Sequence, residues 1–266
     1  MQLIKVPTSL GGLSSQKGAE LAPDRVVAKL KEIWLSEAGQ IPVFNISEVR
    51  IVPSNIAETA RAIQQAASAH KQFAMIGGDH FITNPSFKGF ATNFRNAGIV
   101  VFDAHADLMP TIPGAITHED WLRELITAGA LKPENVIIVG LRNVDKEERA
   151  FIQKMRIKNF SMHEITTEGI HEICDAVMSA VQTFDGLYVS IDIDVVDPAF
   201  APGTGYPEPG GFSSRDLIYF LQRLRLLKNF MALDVVEINP LKDVQDLTVK
   251  LGAKLLVESY KPSAHV

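Results

Sequence analysis

Apolar runs that stop on charged residues recur along this chain and alternate with helix-patterned stretches, and that alternation limits the folds open to it. Phe73 to Ile76 runs into Gly77-Gly-Asp-His80, Ile99 to Phe102 into Asp103-Ala-His-Ala-Asp107, and Leu187 to Ile191 into Asp192-Ile-Asp194. A last run, from Phe230, carries Asp234 and reaches Glu237 and Asn239. Short apolar runs rich in β-branched and aromatic residues read as buried strands. Leu3 to Val6, Ile41 to Val52, Val136 to Gly140 and Ile157 to Ser161 add further β-like pieces. Between them Pro23 opens a helix with an apolar stripe at Val26, Val27, Leu30, Ile33 and Trp34, which predicts a core position for Trp34. Ser54 is expected to cap a helix through Ile56, Ala60, Ile63 and Ala67. Further helices are predicted over Glu119–Ala128, Asp145–Met155, Glu168–Val181, from Ser213 or Ser214 to Leu224, and over Asp243–Ser259. Strand and helix in turn predict an α/β fold with a parallel sheet covered on both faces. No linker, repeat or composition shift divides residues 1–266, so one domain is expected.

With 266 residues, 46% of them hydrophobic, the chain can bury a large core without disulfides. A net charge of −5 and the absence of a dense Lys/Arg tract exclude a nucleic-acid footprint. The single cysteine, Cys174, shares helical spacing with Ile170, Ile173 and Val177 and reads as core. No apolar run approaches the roughly 18 residues of a membrane span, and the start lacks a basic stretch followed by an apolar one. A cytoplasmic protein with no membrane partner is therefore expected. The glycine-containing loop from Gly11 to Gly18 lacks both phosphate-cradling spacings, so no nucleotide site is assigned to it.

Chemistry gathers at the strand ends. If the chain stays extended past Phe102, Asp103, His105 and Asp107 project to one side, since strand side chains repeat every two residues. Asp192 and Asp194 share a face for the same reason. Asp234 and Glu237 are three apart and cannot; Glu237, nearer the end, is the site candidate, and Asp234 is expected to satisfy buried polar groups. Asp197, before Pro198, is expected to shape a turn. In a parallel sheet all carboxyl ends lie along one edge, where such folds bind ligands. So much negative charge beside apolar strands calls for cations, and four aspartates with two histidines exceed the needs of one. Mixed imidazole and carboxylate donors suit Mn, Fe, Ni or Zn.

Gly77-Gly-Asp-His80, Asp103-Ala-His-Ala-Asp107, Ser190-Ile-Asp-Ile-Asp-Val-Val-Asp-Pro198 and Val236-Glu-Ile-Asn-Pro240 together resemble the ureohydrolases, the family of arginase, agmatinase and their relatives. The likeness runs from Gly18 to the last helix. It implies a three-layer α/β/α fold, two divalent ions, usually Mn2+, and a homo-oligomer, trimeric or hexameric. By the same resemblance His80 and Asp107 hold one ion and His105 and Asp194 the other. Asp103 and Asp192 bridge them, and a water between the ions is the nucleophile. The catalytic groups implied are Asp107, Glu237, which orients the guanidinium of a small substrate, and His118, which carries a proton to the departing amine.

Arginases hold the amino-acid head group with an Asn/Ser/Thr-rich loop. Here Leu108 to Thr117 has no asparagine and only two hydroxyl residues, too few donors for a carboxylate and an ammonium together. The Ala201–Gly211 loop resembles agmatinases, whereas the stretch near Gly18 is closer to arginases and Phe81 stands where a small hydroxyl residue is common. The expected reaction is hydrolysis of agmatine to putrescine and urea, a step of polyamine metabolism. Arginine, guanidinobutyrate, guanidine and formiminoglutamate are alternatives, as is a metal-stabilised regulatory protein without activity. Zinc deacetylases of related fold use a pair of adjacent histidines, which this chain lacks.

Overall fold

The computed structural model describes residues 1–12, 17–111 and 116–262. Parts of two loops considered above, residues 13–16 and 112–115, lie outside the described residues. Eight strands form one all-parallel sheet: β1 (Gln2–Val6), β2 (Asn45–Glu48), β3 (Phe73–Gly77), β4 (Ala97–Phe102), β5 (Val136–Leu141), β6 (Lys158–Ser161), β7 (Gly186–Asp192) and β8 (Phe230–Val236). Their order across the sheet is β2-β1-β3-β8-β7-β4-β5-β6. The central strands are buried along their length, and this is why β3, β5 and β7 read as unbroken apolar runs rather than as alternating ones.

Helices cover both faces. On one lie α1 (Ala22–Leu30), α6 (Met162–Glu168), α7 (Ile170–Ala180), α8 (Ser214–Leu224) and α9 (Leu247–Ser259). The other carries α2 (Ile56–Ser68), α3 (Thr83–Ala91), α4 (Trp121–Thr127) and α5 (Lys146–Met155). Each face has its own apolar cluster, with Leu3, Ala74, Val100 and Val189 packed to one side and Ile4, Met75, Val101 and Tyr188 to the other. This is the expected three-layer α/β/α arrangement. Cys174 is buried in the first cluster, and burial pushes its thiol up to about 11.

Local signals account for most helix starts. Asp145, Ser161 and Ser213 each accept a backbone N–H of the first turn while Glu148, Glu164 and Asp216 reach back to the cap, closing three capping boxes. At α2 the cap is Asn55, accepting from the Glu58 N–H, and not Ser54; either side chain can fill the role, and the turn places it one residue later. The predicted helix over Glu168–Val181 begins earlier and is broken at Gly169, whose φ of 96° no helix accommodates. Trp34 is a clear miss: it is 83% exposed. Its stripe holds only while the helix lasts, and α1 ends at Leu30 in tight turns, with the N–H groups of Glu32 and Ile33 bonding Lys29 and Leu30 three residues back.

Candidate metal centre and active site

The carboxyl ends of β3, β4, β7 and β8, four strands adjacent in the sheet, deliver the site. Extended geometry alone does not. β4 stops at Phe102 and the next five residues bend, with Asp107 in the left-handed region at φ 53°. β7 stops at Asp192, and Asp194 belongs to a short 3-10 turn over Ile193–Val195. Glu237, the residue after β8, has φ 61°, which turns its side chain away from the strand alternation and into the site.

The carboxylates share a division of labour. Asp103 takes the His105 N–H with Oδ1 at 2.7 Å, Asp192 the Asp194 N–H at 2.9 Å, and Asp194 the Ala104 N–H at 3.1 Å. Each second oxygen points inward. Oδ2 of Asp103, Asp107 and Asp192 lie 3.2, 2.9 and 3.3 Å from His80 Nδ1, and Asp194 Oδ2 is 3.0 Å from His105 Nδ1. His80 Nδ1 and Asp103 Oδ2 are both buried without a hydrogen-bond partner among the described residues. Buried orphans of this kind are costly, and a cation between them removes the cost.

Two groups of donors are close enough to hold an ion: His80, Asp103 and Asp107, and Asp103, His105 and Asp194. Asp103 belongs to both, as a bridge must. Asp192 belongs to neither, although it touches His80. The four aspartates balance the charge of two divalent cations, so the donor set fits the pair of ions that the resemblance implies.

Electrostatics agree with that fit. Burial pushes Asp107 up to about 7, helped by the charge of Asp103, and raises Asp192 and Asp194 as well. His80 and His105, which burial alone would lower, are raised far above the imidazole range by the carboxylates around them. Asp103 is held below the usual carboxylate range by both histidines despite its burial. Carboxylates crowded this closely favour positive charge among them.

Supporting groups fix the candidate ligands. His80 Nε2 meets the Ser190 hydroxyl at 2.9 Å, and Ser190 donates to Asp234 at 2.6 Å; Tyr188 and Thr83 donate to the same carboxylate. Asp234 therefore satisfies buried polar groups, as expected. Trp121 donates its indole N–H to Asp107 at 2.6 Å, with its ring against His80. Such partners set the ring orientation and basicity of metal ligands. Asp197 shapes the following turn by accepting from the N–H groups of Ala199, Gly210 and Gly211.

His118 is buried, with Nδ1 3.4 Å from Glu237 Oε1, which also accepts the His80 N–H at 2.8 Å. Against burial, Glu237 lifts the His118 imidazole to about 9. A cavity of about 250 Å³ opens over these groups. Beyond the aspartate and histidine ligands its wall consists of Met109, His118, Glu119, Asn143, Asp145, Glu148, Thr204, Tyr206 and Glu237, and among the described residues no lysine or arginine faces it. Tyr206 stands against both His105 and His118.

The structure brings together all the expected residues: His80, Asp103, His105, Asp107, Asp192, Asp194, His118 and Glu237. The supporting Ser190, Trp121 and Tyr206 were not foreseen. Ser190 had a signal, because it precedes Asp192 by two residues on the same face; a tryptophan at a helix start has none.

A family model described as the arginase family matches residues 1–260. The arginase of Bacillus subtilis (strain 168) is 28% identical, the match covering 96% of each chain. Among solved structures, an arginase from Bacillus subtilis superposes with a TM-score of 0.89 at 26% identity over 99% of each chain. Proclavaminate amidino hydrolase from Streptomyces clavuligerus gives 0.88 at 27% identity, covering 97% of this chain and 91% of that one.

Proposed function

The chain belongs to the arginase family and is a hydrolase acting on amidino C–N bonds, and from that premise we propose that its substrate is a guanidino compound with a cationic tail and no carboxylate, agmatine being the simplest. The observation that carries this reading is the cavity wall: Glu119, Asp145 and Glu148 face it and, among the described residues, no lysine or arginine does. A second cation is welcome there and a carboxylate is repelled. Arginine is the second reading, favoured by relatives that are named arginases.

His80, Asp103 and Asp107 would hold one divalent ion and Asp103, His105 and Asp194 the other, with Asp192, beside His80, as a further donor. Mn2+ suits this donor set. When bound, a pair of such ions lowers the pKa of water toward neutrality and so supplies hydroxide. Glu237 accepts N–H groups of the guanidinium and sets its carbon in line for attack. The backbone N–H of His80 holds Glu237 in place for this. Collapse of the adduct releases urea, and the leaving nitrogen needs a proton, which His118 delivers from beside Glu237. Water and guanidinium thus become urea and an ammonium. The exposed Trp34, Ile41 and Val43 support assembly with further copies.

A panel of agmatine, arginine, guanidinobutyrate and guanidine, each read by urea release with two Mn2+ loaded, tests the proposal. Agmatine is expected to give the highest kcat/KM, by at least about tenfold over arginine, the worth of one unfavourable charge at about 1.4 kcal/mol. Arginine equal to or above agmatine overturns the substrate assignment. His118→Asn is expected to lower kcat by about 100-fold while both ions stay bound. Loss of an ion instead would make His118 a ligand.

A further inference from the structure

We propose that Asp79 is the positioning residue for His118, clamping the Gly11–Gly12 strap on which the histidine backbone hangs. Asp79 follows β3 and precedes His80 in the chain, yet it is outside both ion-binding groups. Its Oδ2 accepts the backbone N–H groups of Gly11 and Gly12, both at 2.7 Å. The Gly11 carbonyl in turn accepts the His118 N–H at 3.1 Å. From there the chain of contacts closes on itself: His118 faces Glu237, Glu237 accepts the His80 N–H, and His80 is the neighbour of Asp79.

The strap lies where it does because two glycines allow it. A Cβ on Gly78 would sit 1.7 Å from the Thr8 carbonyl oxygen, and one on Gly11 would sit 2.1 Å from Phe81 Cβ. The approach of the two segments is therefore set by shape, and the direction of the strap by one carboxylate oxygen. Asp79 Oδ1 is buried and has no hydrogen-bond partner among the described residues, so the grip on the strap rests wholly on Oδ2. Two backbone N–H groups converge on this one carboxylate oxygen at hydrogen-bond distance, and among the described residues no other side chain is bonded to these two amides. A proton carrier works only within hydrogen-bond reach of the departing nitrogen, and a shift of about 1 Å can cost on the order of 100-fold in rate. Asp79 is outside both donor groups and does not line the cavity, so it acts through the strap.

The proton-carrying role of His118 rests on the proposed function, whereas the placement of its ring does not, and the experiment separates the two. With agmatine and Mn2+, Asp79→Ala is expected to lower kcat by about 30–100-fold, leave KM within about twofold and retain both ions by elemental analysis. Asp79→Asn, whose amide oxygen still accepts both N–H groups, is expected to keep most of kcat. In a His118→Asn background Asp79→Ala is expected to change kcat no further. Independently of turnover, diethylpyrocarbonate labelling of His118, read by mass spectrometry, is expected to rise severalfold in Asp79→Ala and to stay at the wild-type rate in Asp79→Asn. Loss of an ion, full additivity with His118→Asn, an Asn variant as damaged as the Ala variant, or unchanged labelling of His118 would each overturn the assignment. If the wild type releases urea from no guanidino compound, the functional reading fails, and the labelling arm still decides whether Asp79 positions His118.

Discussion

His105→Ala is expected to bind one Mn2+ instead of two and to lose nearly all urea release, and Asp194→Ala to do the same. The two side chains meet at 3.0 Å, and together with Asp103 they form one of the two donor groups. Removing either leaves two donors for that ion. The other group, His80 with Asp103 and Asp107, keeps its three. One ion would have to do alone what two would share in stabilising the attacking and leaving groups, so turnover should fall by at least about 100-fold. Elemental analysis and a urea assay on the same preparation check both halves. Two ions and unchanged turnover in either variant would reject the assignment of His105 and Asp194 as ligands.

The second large effect is one of stability and changes sign with the metal. Stripping both ions with a chelator is expected to lower Tm by about 10–20 °C, from about 2.7 kcal/mol of linkage per ion at a hundredfold excess over Kd and about 2–4 °C per kcal/mol for a chain of this size. Asp192→Asn should behave in the opposite sense when metal is absent. Its carboxylate is buried within 3.3 Å of His80 and close enough to Asp194 and Asp103 for both charges to raise its pKa. An amide keeps the hydrogen bond from the Asp194 N–H and, unlike a carboxyl whose pKa is raised by burial, takes up neither a charge nor a proton on folding at neutral pH. The metal-free variant is expected to melt several degrees above the metal-free wild type, and the gain on adding Mn2+ to shrink or vanish. Scanning calorimetry of the four samples decides it. A metal-free variant less stable than the metal-free wild type would mean that charge crowding does not limit the empty cluster.

Sequence patterns revealed the sheet and the six candidate ligands that its strand ends bring together because parallel strands announce themselves as apolar runs and their ends are where charge can be tolerated. What the patterns missed was backbone turning at those ends. Alternation predicted that Asp103, His105 and Asp107 would share one side of an extended segment; a bend with Asp107 left-handed brings them together instead. The partners of His80 were hidden for a different reason. Ser190 and Asp234 are 44 residues apart and meet only because β7 and β8 pair in that register. Trp34 failed because helical periodicity says nothing about where a helix ends. The clamp of Asp79 on Gly11 spans 68 residues and runs through backbone amides, to which side-chain patterns are blind.

The left-handed backbone at Asp107 and Glu237 has an evolutionary consequence. An L-residue there gives up on the order of 1 kcal/mol that glycine would recover, and glutamate lacks even the partial tolerance that aspartate has for this conformation. Drift toward thermal robustness alone would therefore favour glycine at two positions where the chemistry demands a carboxylate. A descendant freed from catalysis should lose these two residues early and keep the surrounding strands, so a glycine at either position marks a relative whose fold has outlived its reaction.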